Sequence, residues 1–136
     1  MTTMTARERR AAQKSEYDAF LALCPTRQLF ATISDKWVGL VLVALADGPQ
    51  RYNALSRIVA GISPKMLTQT LRTLERDGMI QRTVTASVPV RVDYDLTALG
   101  RELLPLMVGI KQWAQDHMDA VIGARHLFDR RDDAQA

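Results

Sequence analysis

Four side chains that can form charged or bidentate hydrogen bonds recur within one short stretch of the sequence, GISPKMLTQTLRTLERDGMI. They are Lys65, Gln69, Arg72 and Arg76, and in a helix, at 100° per residue, they form one stripe. Lysine and arginine bind phosphate oxygens, and arginine and glutamine pair bidentately with the edges of guanine and adenine. The stripe therefore predicts a surface that contacts nucleic acid. Considered without the rest of the sequence, the same residues could also form an ordinary solvated helix face.

The same stretch carries the signals of a helix that buries its other face. Ser63 is a suitable N-cap, Pro64 suits the first turn, and Gly78 ends the pattern. Thr68 and Thr73 flank the polar stripe. Three leucines fall within about 60° of each other on the opposite side and predict a core-facing side; they are Leu67, Leu71 and Leu74.

Positive charge is concentrated around this helix. The chain of 136 residues has a formal net charge of +3, but residues 51–91 contain seven bases and two acids, which gives +5. The rest of the chain is therefore negative. Such a distribution is typical of a surface that meets a polyanion. The bases of this region are Arg51, Arg57, Lys65, Arg72, Arg76, Arg82 and Arg91.

The surrounding patterns predict the elements that would hold the stripe in place. After Gly78 the apolar residues recur at every second position, and many residues are β-branched, which predicts β-strands. The two predicted strands, residues 79–88 and 89–96, form a hairpin that turns near residues 87–89, with Arg91 near its tip. Thr97 is a suitable cap for a long final helix. The other predicted helices cover about residues 5–21, 25–33, 36–46 and 52–59, and the third of these, apolar nearly all round, is predicted to be the buried centre.

Helix, short turn, helix and then a β-hairpin is the order of a winged helix-turn-helix. The predicted fold is therefore mainly α with a small β-hairpin, in one domain, with terminal helices that join two copies into a homodimer. The final helix carries more apolar surface than a small core needs. The residues predicted to form the dimer interface are Leu103, Leu106, Ile110, Trp113 and His117.

Cys24 is the single cysteine, so a disulfide within one chain is excluded. It is either an inert small hydrophobic residue or an oxidant-sensing thiol. The sensing alternative has a physical basis, because a thiol just before Pro25 lies at a helix N-terminus that favours the thiolate, and Arg27 adds positive charge. Trp37 and Trp113 are interpreted as packing anchors, with an aromatic effector pocket as the alternative.

Several classes of function are not supported by the sequence. It contains no phosphate-binding glycine loop and no nucleophile motif, and His117 and His126 are spaced too far apart for a shared metal site, so neither an enzyme, a cofactor nor a metal is predicted. No signal peptide or membrane span is indicated, and a cytoplasmic location is expected. The remaining alternative to DNA binding is a basic interaction module for RNA or an acidic protein.

Several motifs in order resemble the HxlR-type family of bacterial winged-helix transcriptional regulators, relatives of the MarR group. The motifs are CPTRQLFATISDKW, DGPQRYNAL, GISPKMLTQTLRTLERDGMIQR and VPVRVDYDLTALG, together with Trp113. The similarity extends over about residues 24–113, which would be the family core. Residues 1–23 would be an N-terminal helix or arm, 97–125 a C-terminal dimerisation helix that overlaps the core, and 126–136 a tail.

The resemblance implies a homodimer joined through its terminal helices and bound to a partly palindromic operator. It implies that the helix from Pro64 to Asp77 is the recognition helix. It places Cys24 where some members carry a redox-sensing cysteine, so an oxidant or a small molecule is the expected effector. The residues then expected to contact double-stranded DNA are Ser63, Lys65, Thr68, Gln69, Arg72, Thr73 and Arg76 of that helix, with Arg51 and Arg91 outside it.

Overall fold

A computed structural model describes residues 3–135, except for the side chains of residues 21 and 22. Residues 1 and 2 of the predicted N-terminal arm and residue 136 of the predicted tail lie outside this range. In chain order the elements are α1 (Ala6–Leu23), α2 (Pro25–Ile33), α3 (Val38–Ala44), β1 (Gln50–Arg51), α4 (Tyr52–Ile58), α5 (Pro64–Arg76), β2 (Ile80–Thr85), β3 (Arg91–Leu96) and α6 (Ala98–Gln135).

The core lies where α3, α4 and α5 meet, as the apolar patterns predict. Val41 and Leu42 of α3 are fully buried, and the leucine face of α5 and Leu55 of α4 pack in the same cluster. Helix α3 supplies buried residues to the centre of the core, as predicted, but it is not covered on every side, because Leu40 is 51% exposed. The helix is also shorter than predicted. Asp35 accepts a hydrogen bond from the backbone N–H of Trp37 and forms a turn ahead of Val38.

The wing is a three-stranded antiparallel sheet in the order β1-β3-β2. The predicted hairpin is present, with Ile80 opposite Leu96 and Thr85 opposite Arg91. Strand β1 was not predicted, because two residues are too few to show an alternating pattern. It adds to the hairpin through Gln50, which pairs with Tyr94, and so joins the wing directly to the start of α4.

Both ends of α5 are formed by the residues that the sequence indicates. The Ser63 hydroxyl accepts the Met66 backbone N–H at 3.1 Å. At the other end, Gly78 has φ +75°, and the N–H groups of Gly78 and Met79 donate to the carbonyls of Glu75 and Leu74. This is a Schellman ending, which a glycine adopts without the steric cost that a Cβ brings. The length of the helix is therefore set locally.

Only the first part of helix α6 packs into the core of the domain. Leu103 and Met107 are buried, whereas the described residues beyond Met107 are half-buried or exposed. The helix continues to Gln135, past the predicted end at residue 125, so residues 126–135 are helical and not a separate tail. At the other end of the chain, α1 packs against α2. Among the described residues, no helix is long and apolar enough to cross a membrane.

Candidate nucleic-acid interface

The structure brings the predicted polar stripe together on one exposed side of α5. Its residues line a single shallow concavity of about 640 Å³, and Pro64 also lines it. Within the described part of the chain, no carboxylate lines this concavity. We call this surface the α5 stripe, and it consists of Lys65, Thr68, Gln69, Arg72, Thr73 and Arg76, all exposed.

Ser63 is exposed at the start of the stripe, but its oxygen already has a structural partner. Because the hydroxyl accepts the Met66 amide, its oxygen holds the first turn of α5 in place. The Ser63 proton stays available for a phosphate oxygen, which is the acceptor expected at a helix N-terminus bound to DNA. Ser63 therefore remains a predicted contact with DNA, and it is also the N-cap of α5.

Arg51 and Arg91 do not line the α5 stripe. They line a separate cleft of about 420 Å³ between β1, α4 and β3, to which Arg57 also contributes. Arg91 is the first residue of β3, where the hairpin ladder ends, and its Nε lies 2.9 Å from Oδ2 of Asp93. This ion pair was not predicted, and it offsets part of the positive charge expected at the tip of the wing.

A third cleft, of about 380 Å³, separates α5 from the sheet. Thr68 and Arg72 line both this cleft and the stripe, and Arg82 and Tyr94 face them from paired positions on β2 and β3. Burial raises the pKa of Tyr94, although the nearby Arg82 acts in the opposite direction. The alternation along β3 places Tyr94 on the inner face of the strand, but no sequence signal shows that this face meets α5.

Cys24 lies at the start of α2, as predicted. The residue is half-buried, and the backbone N–H groups of Arg27 and then Thr26 stabilise a negative charge on its sulfur. These interactions lower the pKa of the Cys24 thiol below its ordinary value, and they outweigh the opposing effect of desolvation; the charge of Arg27 adds a smaller contribution. The thiolate, which is the reactive form, is therefore favoured at this site.

We expect iodoacetamide to alkylate Cys24 in the folded protein with a pH profile displaced to lower pH than in the same protein unfolded in urea. The folded-state pKa is lowered, so the thiolate persists at pH values where an unfolded cysteine is protonated. The measurement is the alkylation rate against pH, followed by mass spectrometry. Identical profiles in the two states would contradict the lowered pKa.

The exposed face of α6 carries most of the residues expected at a dimer interface. Leu106 is 60% exposed, Ile110 59% and Trp113 54%. The rings of Trp113 and His117 stack at 4.6 Å between centroids, and Nδ1 of His117 lies 2.9 Å from the Trp113 carbonyl oxygen. Leu103 was wrongly included, because it points from α6 into the core of its own protomer and is 8% exposed.

An open cavity of about 830 Å³ lies between α3 and α6 and is also lined by the end of α4. Leu40, Ile58 and Ile110, each more than half exposed, form part of its apolar floor. Neither tryptophan lines it. The side chain of Trp37 is instead covered by the ammonium group of Lys36, which lies 4.6 Å from the ring centroid. Within residues 3–135, no group of three metal-ligating side chains is present.

Comparison with known proteins matches residues 32–121 to the family described as HxlR-like helix-turn-helix. The chain is 40% identical over 110 residues to the uncharacterized HTH-type transcriptional regulator YdeP of Bacillus subtilis, which covers 79% of this chain and 86% of that protein. Among solved structures, the putative transcriptional regulator ytfH from Salmonella typhimurium is 36% identical with a TM-score of 0.71, covering 79% of this chain and 96% of that one. The redox regulator HypR in its oxidized form is 38% identical with a TM-score of 0.66, covering 69% and 97%.

Proposed function

The chain belongs to the HxlR-like helix-turn-helix family of transcriptional regulators, which are not enzymes, and from this membership we propose that it binds a specific sequence in double-stranded DNA as a homodimer. In this proposal α5 is the recognition helix and enters the major groove. The hairpin of β2 and β3 is the part of the wing that lies beside it. The protein acts in the cytoplasm, where its DNA target is located.

One observation carries the proposal, namely the composition of the α5 stripe. Three cations, one amide and two hydroxyls line the same concavity, and none of the described acidic residues lines it. A major groove about 12 Å wide admits one helix, and these are the side chains that hydrogen-bond to base edges and phosphates. The Arg51 and Arg91 cleft lies on the other side of β3 and supports additional phosphate contacts.

The terminal helices support the dimer. A row of large apolar side chains on α6 is more than half exposed, and this is more apolar surface than a monomer usually leaves uncovered. A two-fold axis between two such helices would place two recognition helices on half-sites about one helical turn apart, about 34 Å. We therefore assign DNA binding to the elements from α2 to β3 of the 24–113 family core, and we assign α1 and α6 to dimerisation.

Replacing Trp113 with alanine should weaken the dimer by at least about 30-fold, because a buried interface tryptophan typically contributes about 2 kcal/mol or more to association. Sedimentation equilibrium over a concentration series measures the dissociation constant. Gln112→Ala is the matched control, since Gln112 is the adjacent residue and hydrogen-bonds to Asp116 on another side of α6. A wild-type monomer at micromolar concentration, or an unchanged Trp113→Ala dimer, would refute this interface.

We further propose that Cys24 makes DNA binding responsive to oxidants or electrophiles. The lowered pKa of its thiol supports this, as does the similarity to a solved redox regulator. Each chain has one cysteine, so any disulfide within the dimer must join Cys24 to its symmetry mate, with Cα atoms within about 7 Å. Otherwise the thiol would form a sulfenic acid, a mixed disulfide or an alkyl adduct.

Operator affinity before and after diamide treatment, in wild type and in Cys24→Ser, tests this role. We expect a change in the wild type alone. Equal responses would make Cys24 structural and would favour a small-molecule effector. The cavity between α3 and α6 is then the site to examine, because its volume lies within the usual range of ligand pockets, roughly 300–1,000 Å³.

Selection of duplexes from a randomised library by the purified protein tests the proposed function as a whole. We expect an enriched, partly palindromic sequence and an affinity whose logarithm falls linearly with log salt concentration, because phosphate contacts release counterions. Salt-dependent binding without any enriched sequence would contradict sequence-specific regulation. In that case single-stranded RNA and acidic protein partners become the alternatives.

A further inference from the structure

We propose that Tyr52 fixes the direction of the hydrogen bond made by the Thr68 hydroxyl, so that Thr68 presents only an acceptor to the DNA. A base that presents an amino group in the major groove, adenine or cytosine, would then be selected at the position that Thr68 reaches. The inference rests on the proposed function, since it assumes that α5 lies in the major groove. Tyr52 would be a positioning residue that does not itself touch DNA.

Tyr52 connects the first turn of α4 to the first turns of α5. Its ring is half-buried and packs against the core cluster, so the position of its hydroxyl is set by the fold. That hydroxyl donates to the carbonyl oxygen of Pro64 at 2.9 Å. It also lies 3.3 Å from the hydroxyl oxygen of Thr68, one turn further along α5. One side chain therefore contacts two successive turns of the recognition helix.

The available protons determine which partner donates in the contact between Tyr52 and Thr68. A carbonyl oxygen can only accept, so the short bond to Pro64 uses the single proton of the Tyr52 hydroxyl. The Tyr52 oxygen then accepts in its second contact, and Thr68 donates its proton inward. The Thr68 oxygen retains lone pairs and has no proton left to offer outward.

Thr68 is exposed and lies next to Arg72 at the edge of the α5 stripe that borders the cleft toward the sheet. It belongs to the N-terminal half of α5, and the N-terminal residues of a recognition helix contact the base edges. In the major groove, adenine N6 and cytosine N4 donate, whereas guanine O6, guanine N7 and thymine O4 accept. An acceptor at Thr68 is complementary to the two amino groups and is repelled by the keto oxygens.

A separate contact holds the other end of α5. The Thr32 hydroxyl of α2 donates to Oδ2 of Asp77, the C-cap residue, at 3.3 Å. This contact fixes the helix end but does not involve a residue of the α5 stripe. Thr32→Val therefore removes a hydrogen bond to α5 while leaving the proton arrangement at Thr68 unchanged, and it serves as the matched control.

The experiment takes the duplex enriched by the wild-type protein and measures Kd for every single base-pair change in a half-site. We compare wild type, Tyr52→Phe, Thr68→Ala, the double variant and Thr32→Val. We expect Tyr52→Phe to reduce the preference for an amino-bearing base by about fivefold at one position, the size of one hydrogen bond. Thr68→Ala should lose the preference at the same position, and the double variant should lose no more than Thr68→Ala. Thr32→Val should leave the base ranking unchanged.

The outcomes separate this inference from the proposed function. If the wild type enriches no sequence, the proposed function fails and the premise of this inference fails with it. If a sequence is enriched but Tyr52→Phe keeps the full base ranking, or if the affected position prefers guanine or thymine, only the role of Tyr52 is refuted. Should Tyr52→Phe fail to fold, Thr68→Ala decides the matter. Retention of all amino preferences by that variant would overturn the inference.

Discussion

Arg72→Ala is expected to raise Kd for the preferred operator by roughly tenfold to a hundredfold. Arg72 is exposed and lies midway along the α5 stripe. It is also the arginine of the stripe that lines the cleft between α5 and the sheet. A bidentate arginine–guanine pair contributes about 1–3 kcal/mol of discrimination. The variant should therefore also bind a mutated operator almost as well as the original one. Mobility-shift titration on both duplexes measures the two effects.

Two control variants make the Arg72 result specific. Arg125→Ala removes one positive charge from an exposed site on α6, remote from the stripe, and should leave Kd nearly unchanged. Arg91→Ala should weaken all duplexes to a similar extent and flatten the salt dependence, as expected for a phosphate contact. If Arg72→Ala keeps specific binding intact, α5 is not the recognition helix.

Gly100→Ala is expected to destabilise the fold by about 3 kcal/mol and to lower Tm by on the order of 10 °C. Gly100 lies in the first turn of α6, where the helix passes close to Met79, the second residue after the C-cap of α5. A Cβ at this position would collide with the carbonyl oxygen of Met79 and would lie 3.0 Å from the carbonyl carbon. Since both atoms belong to the backbone, the strain cannot be relieved by a side-chain rotation.

The same substitution elsewhere on α6 provides the control. Gly123 lies in the interior of the helix, and a Cβ added there would meet no other described part of the chain within 4 Å. Alanine there should stabilise the helix by about 0.5–1 kcal/mol through its higher helix propensity. Thermal unfolding followed by circular dichroism compares the two variants. A Gly100→Ala protein as stable as wild type would show that α6 does not approach Met79 this closely.

The local structure around α5 was predictable from the sequence because its signals are local. Ser63, Pro64 and Gly78 define the ends of the helix through interactions within a few residues. The leucine spacing then determines which side is buried, since a helix has a fixed angle per residue. The polar stripe follows as the opposite side. The order of helix, helix and hairpin indicated the winged arrangement, which the solved structures of relatives confirm.

Long-range features were decided by the tertiary structure alone. Strand β1 forms only because β3 offers a free edge to Gln50 and Arg51. Leu103 lies in the protomer core because α6 rests on α3 at that point, although its periodicity also fits an interface. The ion pair of Arg91 with Asp93 depends on side-chain conformations that the alternation along a strand does not determine.

The chemistry of the candidate site shows the same division. The residue types on the exposed face of α5 could be predicted from the sequence, because they depend only on spacing within one helix. Tyr52 lies twelve residues before Pro64 in the chain, and only the tertiary structure brings the two together. The Tyr52 hydroxyl donates a hydrogen bond to the Pro64 carbonyl oxygen and lies near the Thr68 hydroxyl. Such a contact arises from the packing angle of α4 against α5. Packing angles depend on how two whole faces fit together, and no short sequence pattern specifies them.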